Sequence, residues 1–137
     1  MMKTKTDLNT LLGLELPEKE TKDVLIPRLG LKLTLQEIGY DELMRCRRRE
    51  DANMAYFLAS VKAPDFRSEA FYRDKMGCAT PADAVKKLFR GGEIEKICKV
   101  ADRLNGYDAR SVVTMDAPAA DLESHAVADI LEDAEKN

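Results

Sequence analysis

The stretch Thr80 to Tyr107, TPADAVKKLFRGGEIEKICKVADRLNGY, restricts the fold of this chain more than any other. Thr80 can offer its hydroxyl to an orphan N–H of a first helical turn. Pro81 has the fixed φ that suits the first helical position, and Asp83 puts negative charge at the positive end of the helix dipole. Val85, Leu88 and Phe89 follow at helical spacing, with Lys86, Lys87 and Arg90 on the other side and toward the C-terminus. Gly91-Gly92 is expected to break this helix. Ile94, Ile97, Cys98, Ala101 and Leu104 then predict a second one, closed by Asn105-Gly106 with Gly106 in the left-handed conformation. Two such stripes must cover each other, so Leu88, Phe89, Ile94, Ile97 and Leu104 are expected to share one core.

Before this hairpin, the alternation of Leu31, Leu33 and Leu35 with Lys32 and Thr34 has the period of a half-buried strand. Val24-Leu25-Ile26 reads as its partner across a turn at Pro27 to Gly30, giving a short β-hairpin that needs helices beneath it. Tyr40 to Arg49 predicts a helix with Asp41 as its N-cap and Leu43 and Met44 inward. A further helix, capped by Asn53, carries Met54, Phe57, Leu58 and Val61. Whether Glu50-Asp51 joins or separates these two is open in the sequence. Pro64-Asp65-Phe66 ends the second, and Ser68 to Met76 is a short helix with Phe71 and Tyr72, stopped by Gly77.

The ends differ from the middle. Residues 1–22 are polar except for Leu8, Leu11 and Leu12, spaced i, i+3, i+4 in one or two turns too short to be helical alone. They form either a disordered leader or an arm that orders on a partner. Residues 109–137 are a loose connector and then an acidic helix from about Asp121 with Val127, Ile130, Leu131 and Ala134 in a stripe. Residues 116–137 hold seven acidic side chains against Lys136, a net charge of −6, which leaves +3 on the rest. The expected organisation is a flexible arm over 1–22, a helical core with a β-hairpin over 23–108, and a linker with an acidic amphipathic helix over 109–137. The fold class is mainly α (α+β).

At 137 residues one core is expected. No apolar run approaches the roughly 20 residues of a membrane span, and MMKTKTDLNT lacks the apolar centre of a signal peptide, so a soluble, cytoplasmic protein is expected. Cys46, Cys78 and Cys98 show no CxxC and no histidine cluster, which disfavours a zinc site or a disulfide. Cys98 falls on the apolar stripe, and Cys78 is the more exposed thiol. His125, the one histidine, lies among acidic residues and alanines and reads as a surface side chain. Phosphate-loop, dinucleotide, zinc-protease and serine-hydrolase motifs are absent. The expectation is a protein with no catalytic residues, cofactor or metal. Arg45, Arg47, Arg48 and Arg49 form one dense basic run. Glu42, Glu50 and Asp51 flank it and no aromatic side chain interrupts it, so a solvated or internally paired helix face is the first reading. A regulatory adaptor gripping nucleic acid with this run is one alternative, and a thiol-dependent enzyme at Cys78 a weaker one.

Five short motifs occur in a familiar order. Tyr40-Asp41-Glu42-Leu43, Pro64-Asp65-Phe66, Thr80-Pro81 with Val85 and Leu88, Gly92-Glu93-Ile94 with Ile97, and Leu104-Asn105-Gly106-Tyr107 together resemble the XkdN-like phage tail assembly chaperones. The likeness spans about residues 23–108 and departs at Gly91, where that pattern leads one to expect proline. It implies a phage or prophage protein of the host cytoplasm, absent from the finished virion. Such a protein keeps the long helical tape-measure protein soluble and hands it over as tail-tube subunits assemble. The tape measure, and with it the tail-tube protein or a second copy of this chain, are the partners implied. Leu8, Leu11, Leu12, Val127, Ile130 and Leu131 are the candidate partner-binding residues, nucleic acid and membrane being disfavoured.

Overall fold

The structure is a computed structural model and describes residues 6–115. It is a small α+β domain. Helix α1 (Leu8–Leu12) precedes strands β1 (Thr21–Ile26) and β2 (Leu31–Gln36). Helices α2 (Tyr40–Arg48) and α3 (Ala52–Ser60) follow, then strand β3 (Val61–Ala63), a π-helical turn (Ala70–Lys75), and helices α4 (Pro81–Leu88) and α5 (Gly91–Leu104). The expected final helix, with Val127, Ile130 and Leu131, and His125 with it, lies outside the described residues.

β1 and β2 form the expected antiparallel hairpin, with Val24 opposite Leu33 and Ile26 opposite Leu31. Gly30 closes the turn at φ +60°, which any β-carbon would strain. The alternation has the effect anticipated: Leu33 and Leu35 are fully buried, and Lys32 is outside, where it meets Asp23 across the strands. The sheet has a third strand, however. Val61, expected on the helical stripe of α3, instead leads β3, which pairs antiparallel with β2 (Leu35 opposite Val61, Thr34 opposite Ala63). The valine is β-branched and comes just where α3 reaches the open edge of β2, so pairing outweighs one more helical residue.

Glu50-Asp51 separates α2 from α3. The caps are not those expected: Gly39 precedes α2 and Asp51 precedes α3, neither with a side-chain cap bond, so Asp41 and Asn53 both fall inside their helices. The residues after Pro64 form a π-helical turn, tighter in extent than the helix expected over Ser68 to Met76. Its Met76 N–H donates to the Phe71 carbonyl at 3.0 Å, and Gly77 leaves it at φ +66°.

Thr80 caps α4 as its sequence requires, its Oγ1 accepting from the Asp83 N–H at 3.1 Å. The corner after α4 differs from expectation. The chain breaks at Phe89 and Arg90, both extended, while Gly91 and Gly92 are the first two residues of α5 and not a hinge. Glu93 explains this, because its carboxylate accepts the Arg90 N–H at 2.7 Å and so starts the helix at that point. At the far end the Tyr107 N–H donates to Asp102 O and the Gly106 N–H to Arg103 O, with Gly106 at φ +86°. That is the Schellman arrangement expected of Asn105-Gly106.

The core lies between the hairpin and the helices. All four phenylalanines of the chain meet there: Phe57 stands 5.4 Å from Phe89 and 5.6 Å from Phe66, and Phe66 stands 5.3 Å from Phe71, ring centre to ring centre. Phe89 and Ile97 are buried as expected; Leu88, Ile94 and Leu104 are only partly buried, packing on the rim of the same cluster.

Candidate interaction surface

A thiol-dependent activity would need a reactive cysteine. Cys46 and Cys98 are buried, and burial pushes both thiols up, Cys98 to about 12 with Asp102 and Glu95 adding to the effect. Both are held as neutral, unreactive groups. Cys78 is half-buried and points its Sγ at the Met76 carbonyl, 3.5 Å away. The Lys87 ammonium donates to the same carbonyl at 3.1 Å, and no side chain is hydrogen-bonded to the thiol among the described residues. Nor do His, Cys, Asp and Glu gather anywhere in those residues into a group of three that could hold a metal ion.

A polar network does exist inside the fold, and it is architectural. The Tyr56 hydroxyl donates to Asp102 Oδ1 at 2.8 Å and accepts from Asn105 Nδ2 at 2.8 Å, while Asn105 Oδ1 accepts the Ile38 N–H at 2.9 Å. Burial and the neighbouring Asp102 push the Tyr56 phenol up, so it stays protonated and donates. The end of α5 is thereby tied to α3 and to the segment entering α2.

The arginine run does not form one basic face. Arg47 is turned onto the ring of Tyr107, 4.9 Å from its centre, against the end of α5. Arg45 on α2 and Arg49 just after it line a groove with Arg67 from the loop after β3. A phosphate backbone needs cations in register along one surface, and this helix divides them between two. The groove holds about 270 Å³, and two other clefts on the body hold about 210 and 220 Å³. These fall below the roughly 300–1,000 Å³ of ordinary small-molecule sites.

The N-terminal arm carries a cluster of apolar side chains that nothing covers among the described residues. Asp7 caps α1, its Oδ1 accepting from the Thr10 N–H at 2.8 Å and the Thr10 hydroxyl at 2.6 Å. Leu8, Leu11 and Leu12 are then 65%, 63% and 71% exposed, and none of them packs on the core. Leu14 and Leu16, which the helical spacing did not single out, are exposed as well. Their signal was available: leucines next to Gly13 and Pro17 in a polar segment have no local fold to serve. With Thr6 to Leu14 forming an open apolar hollow, the arm presents five leucines on one short segment leading into β1. The other candidates, Val127, Ile130 and Leu131, lie outside the described residues.

Burying a leucine contributes about 1.5–3 kcal/mol. At roughly two-thirds exposure, Leu8, Leu11 and Leu12 together could supply roughly 3–6 kcal/mol, before the cost of ordering the arm. Before that cost, this corresponds to dissociation constants from about 6 mM to about 40 μM, and the ordering cost moves them toward the weak end. One arm alone holds a partner weakly, and only repetition along a partner would make it hold well.

No helix among the described residues is long and apolar enough to cross a membrane. No protein-family model matches this chain, and no curated protein matches it. Among solved structures, the crystal structure of the protein yqbn has a similar fold, with a TM-score of 0.58 at 16% identity. The likeness covers 77% of this chain and 100% of yqbn. At that identity it is a likeness of fold.

Proposed function

We propose that this protein is a phage or prophage tail assembly chaperone of the XkdN-like kind, a binding protein without catalysis that holds the tape-measure protein soluble while the tail is built. The observation that carries the reading is the unpartnered leucine face of Leu8, Leu11 and Leu12 on an arm that precedes the folded body. A weak apolar arm suits a client that is long, helical and repetitive, because many copies can bind side by side and be displaced one at a time. The motif order supports the same reading. Each quoted motif occupies a corner of the fold: Tyr40 opens α2, Phe66 enters the aromatic cluster, Thr80-Pro81 caps α4, Glu93 starts α5 and Gly106 ends it. On this reading the protein works in the cytoplasm of the bacterial host and leaves before the virion is complete.

Co-expression with the tape-measure protein tests the proposal. The tape measure should stay in the soluble fraction with the intact chain and precipitate with a Leu8→Ser/Leu11→Ser/Leu12→Ser variant. A tape measure equally insoluble with and without the intact chain would overturn the function. Equal rescue by the variant would move the binding surface to the folded body.

A further inference from the structure

The groove between α2, α3 and α4 has a composition the proposed function does not use. Met54, Leu58 and Ala82 form its floor, and Arg45, Arg49 and Arg67 stand along its sides, all three exposed and without an ion pair among the described residues. Glu42 and Asp51 also reach the rim, but Asp51 is engaged by Lys86. The balance is cationic around an apolar strip. Nucleic acid fits this poorly, because no aromatic side chain lines the groove to stack a base. An apolar stripe flanked by carboxylates fits it well.

This chain carries such a stripe. Val127, Ile130 and Leu131 recur at helical spacing between Glu123, Asp129, Glu132, Asp133 and Glu135. We propose that residues 121–135 dock in the α2–α3–α4 groove of their own chain, with Val127, Ile130 and Leu131 on Met54 and Leu58 and the flanking carboxylates paired with Arg45, Arg49 and Arg67. The path is short. Tyr107 is stacked on Arg47, so the chain leaves α5 already beside α2 and has only to round a helix about 10–12 Å across. A turn at Asp108 lays Ser111 back against Gly106, and the ten residues from Ser111 to Asp121 can span up to roughly 33 Å. A tether of that length keeps the segment at about millimolar effective concentration, which favours the chain's own groove over that of a second copy. The docked segment would cover its apolar stripe until a stronger partner displaced it. The inference stands independently of the tape-measure reading.

The chain has no tryptophan, so Ile130→Trp, with Val127→Trp as a second placement, gives a clean reporter in the full-length protein. At low salt at least one reporter should emit with a blue shift that is unchanged on dilution. The shift should vanish in about 1 M salt, where the screening length falls to ~3 Å, and in an Arg45→Glu/Arg49→Glu background. Adding Asp129→Arg/Glu132→Arg to that background should restore it. Circular dichroism melting checks that the arginine variants fold, and Arg45→Gln/Arg49→Gln repeats the test with a smaller perturbation. Solvent-exposed emission from both reporters, or a shift that survives loss of the arginines, overturns the proposal. A shift that fades on dilution assigns the contact to a second copy and overturns it equally.

Discussion

Arg28, in the turn of the hairpin, grips Glu93, in the first turn of α5, through two hydrogen bonds, Nη2 to Oε1 at 2.8 Å and Nε to Oε2 at 3.1 Å. The same guanidinium donates to the Leu88 carbonyl at the end of α4, and the same carboxylate accepts the Arg90 N–H. One ion pair therefore fastens the sheet to the corner between the two central helices. It holds Glu93 well below the usual carboxylate range, at about 2 against an ordinary 4.5, with the Arg28 bond as the largest cause and the Arg90 N–H next. A carboxylate whose pKa is lowered by folding contributes its stability above the unfolded value and loses it as pH falls through the folded one. Urea midpoints should therefore decline between about pH 4.5 and 2. Glu93→Gln should be less stable at neutral pH and flatter across that window. An unchanged acid profile in the variant would mean the pair is a solvated contact.

Gly91 is the first residue of α5 and follows Arg90 at φ −80°, ψ 152°, an extended conformation that a residue before proline favours. No atom lies within 4 Å of where a β-carbon would sit, and no hydrogen bond from the Gly91 N–H would be lost. Gly91→Pro should stabilise the domain by about 0.4–1 kcal/mol by restricting the unfolded chain. A fall in the thermal midpoint would show that this corner needs the freedom of glycine.

That corner also shows how far the sequence could be read. Thr80-Pro81 and Asn105-Gly106 were legible because their partners sit within four residues, so local chemistry settles them. Leu31, Leu33 and Leu35 were legible for a similar reason, their period being the strand's own. Gly91-Gly92 misled because glycine usually ends helices, whereas here Glu93 sets the start by reaching back to Arg90. Val61–Ala63 misled because a strand exists only through its partner, β2, a contact no local window contains. The Arg28–Glu93 pair spans 65 positions and left no signal at all. As for the surface, the exposure of Leu8, Leu11 and Leu12 followed from their isolation in a polar segment. The division of the arginine run between Tyr107 and the groove depended on how α2 is rotated, which spacing alone does not fix.

Ile97 is 3% exposed at the centre of α5, while Leu88 packs only on the rim of the core. Ile97→Ala should cost about 2–5 kcal/mol, and Leu88→Ala clearly less. Denaturant midpoints rank the two. Equal losses would place Leu88 deeper than its exposure implies.

Asn105 links the Ile38 N–H to the Tyr56 hydroxyl. Asn105→Ala strands the Ile38 N–H, leaves the Tyr56 hydroxyl with Asp102 alone, and should cost about 1–3 kcal/mol. Tyr56→Phe should cost a similar amount by leaving Asp102 and Asn105 short of a partner. Because the groups act as one network, the double variant should lose less than the two single losses added. Strict additivity in denaturation would show two unconnected contacts.

The arm gives the last prediction, and it separates folding from binding. Leu8, Leu11 and Leu12 contribute nothing to the core, so replacing all three by serine should leave the unfolding midpoint where it was. The same leucines are a cluster of exposed apolar side chains, and at high concentration they should find one another. A single arm supplies only enough burial for contacts of about millimolar strength, so association should be weak, reversible and graded with concentration. It should not depend strongly on salt, since Asp7 is the one charge within the arm's helical turn and it is occupied by Thr10. Static light scattering from micromolar to near-millimolar protein should show the apparent mass rising for the intact chain and staying flat for the Leu8→Ser/Leu11→Ser/Leu12→Ser variant. Equal rise in both would place self-association on the folded body. A large drop in the variant's unfolding midpoint would show the arm packed on that body in solution, and its leucines would then be core residues with no surface to offer a partner.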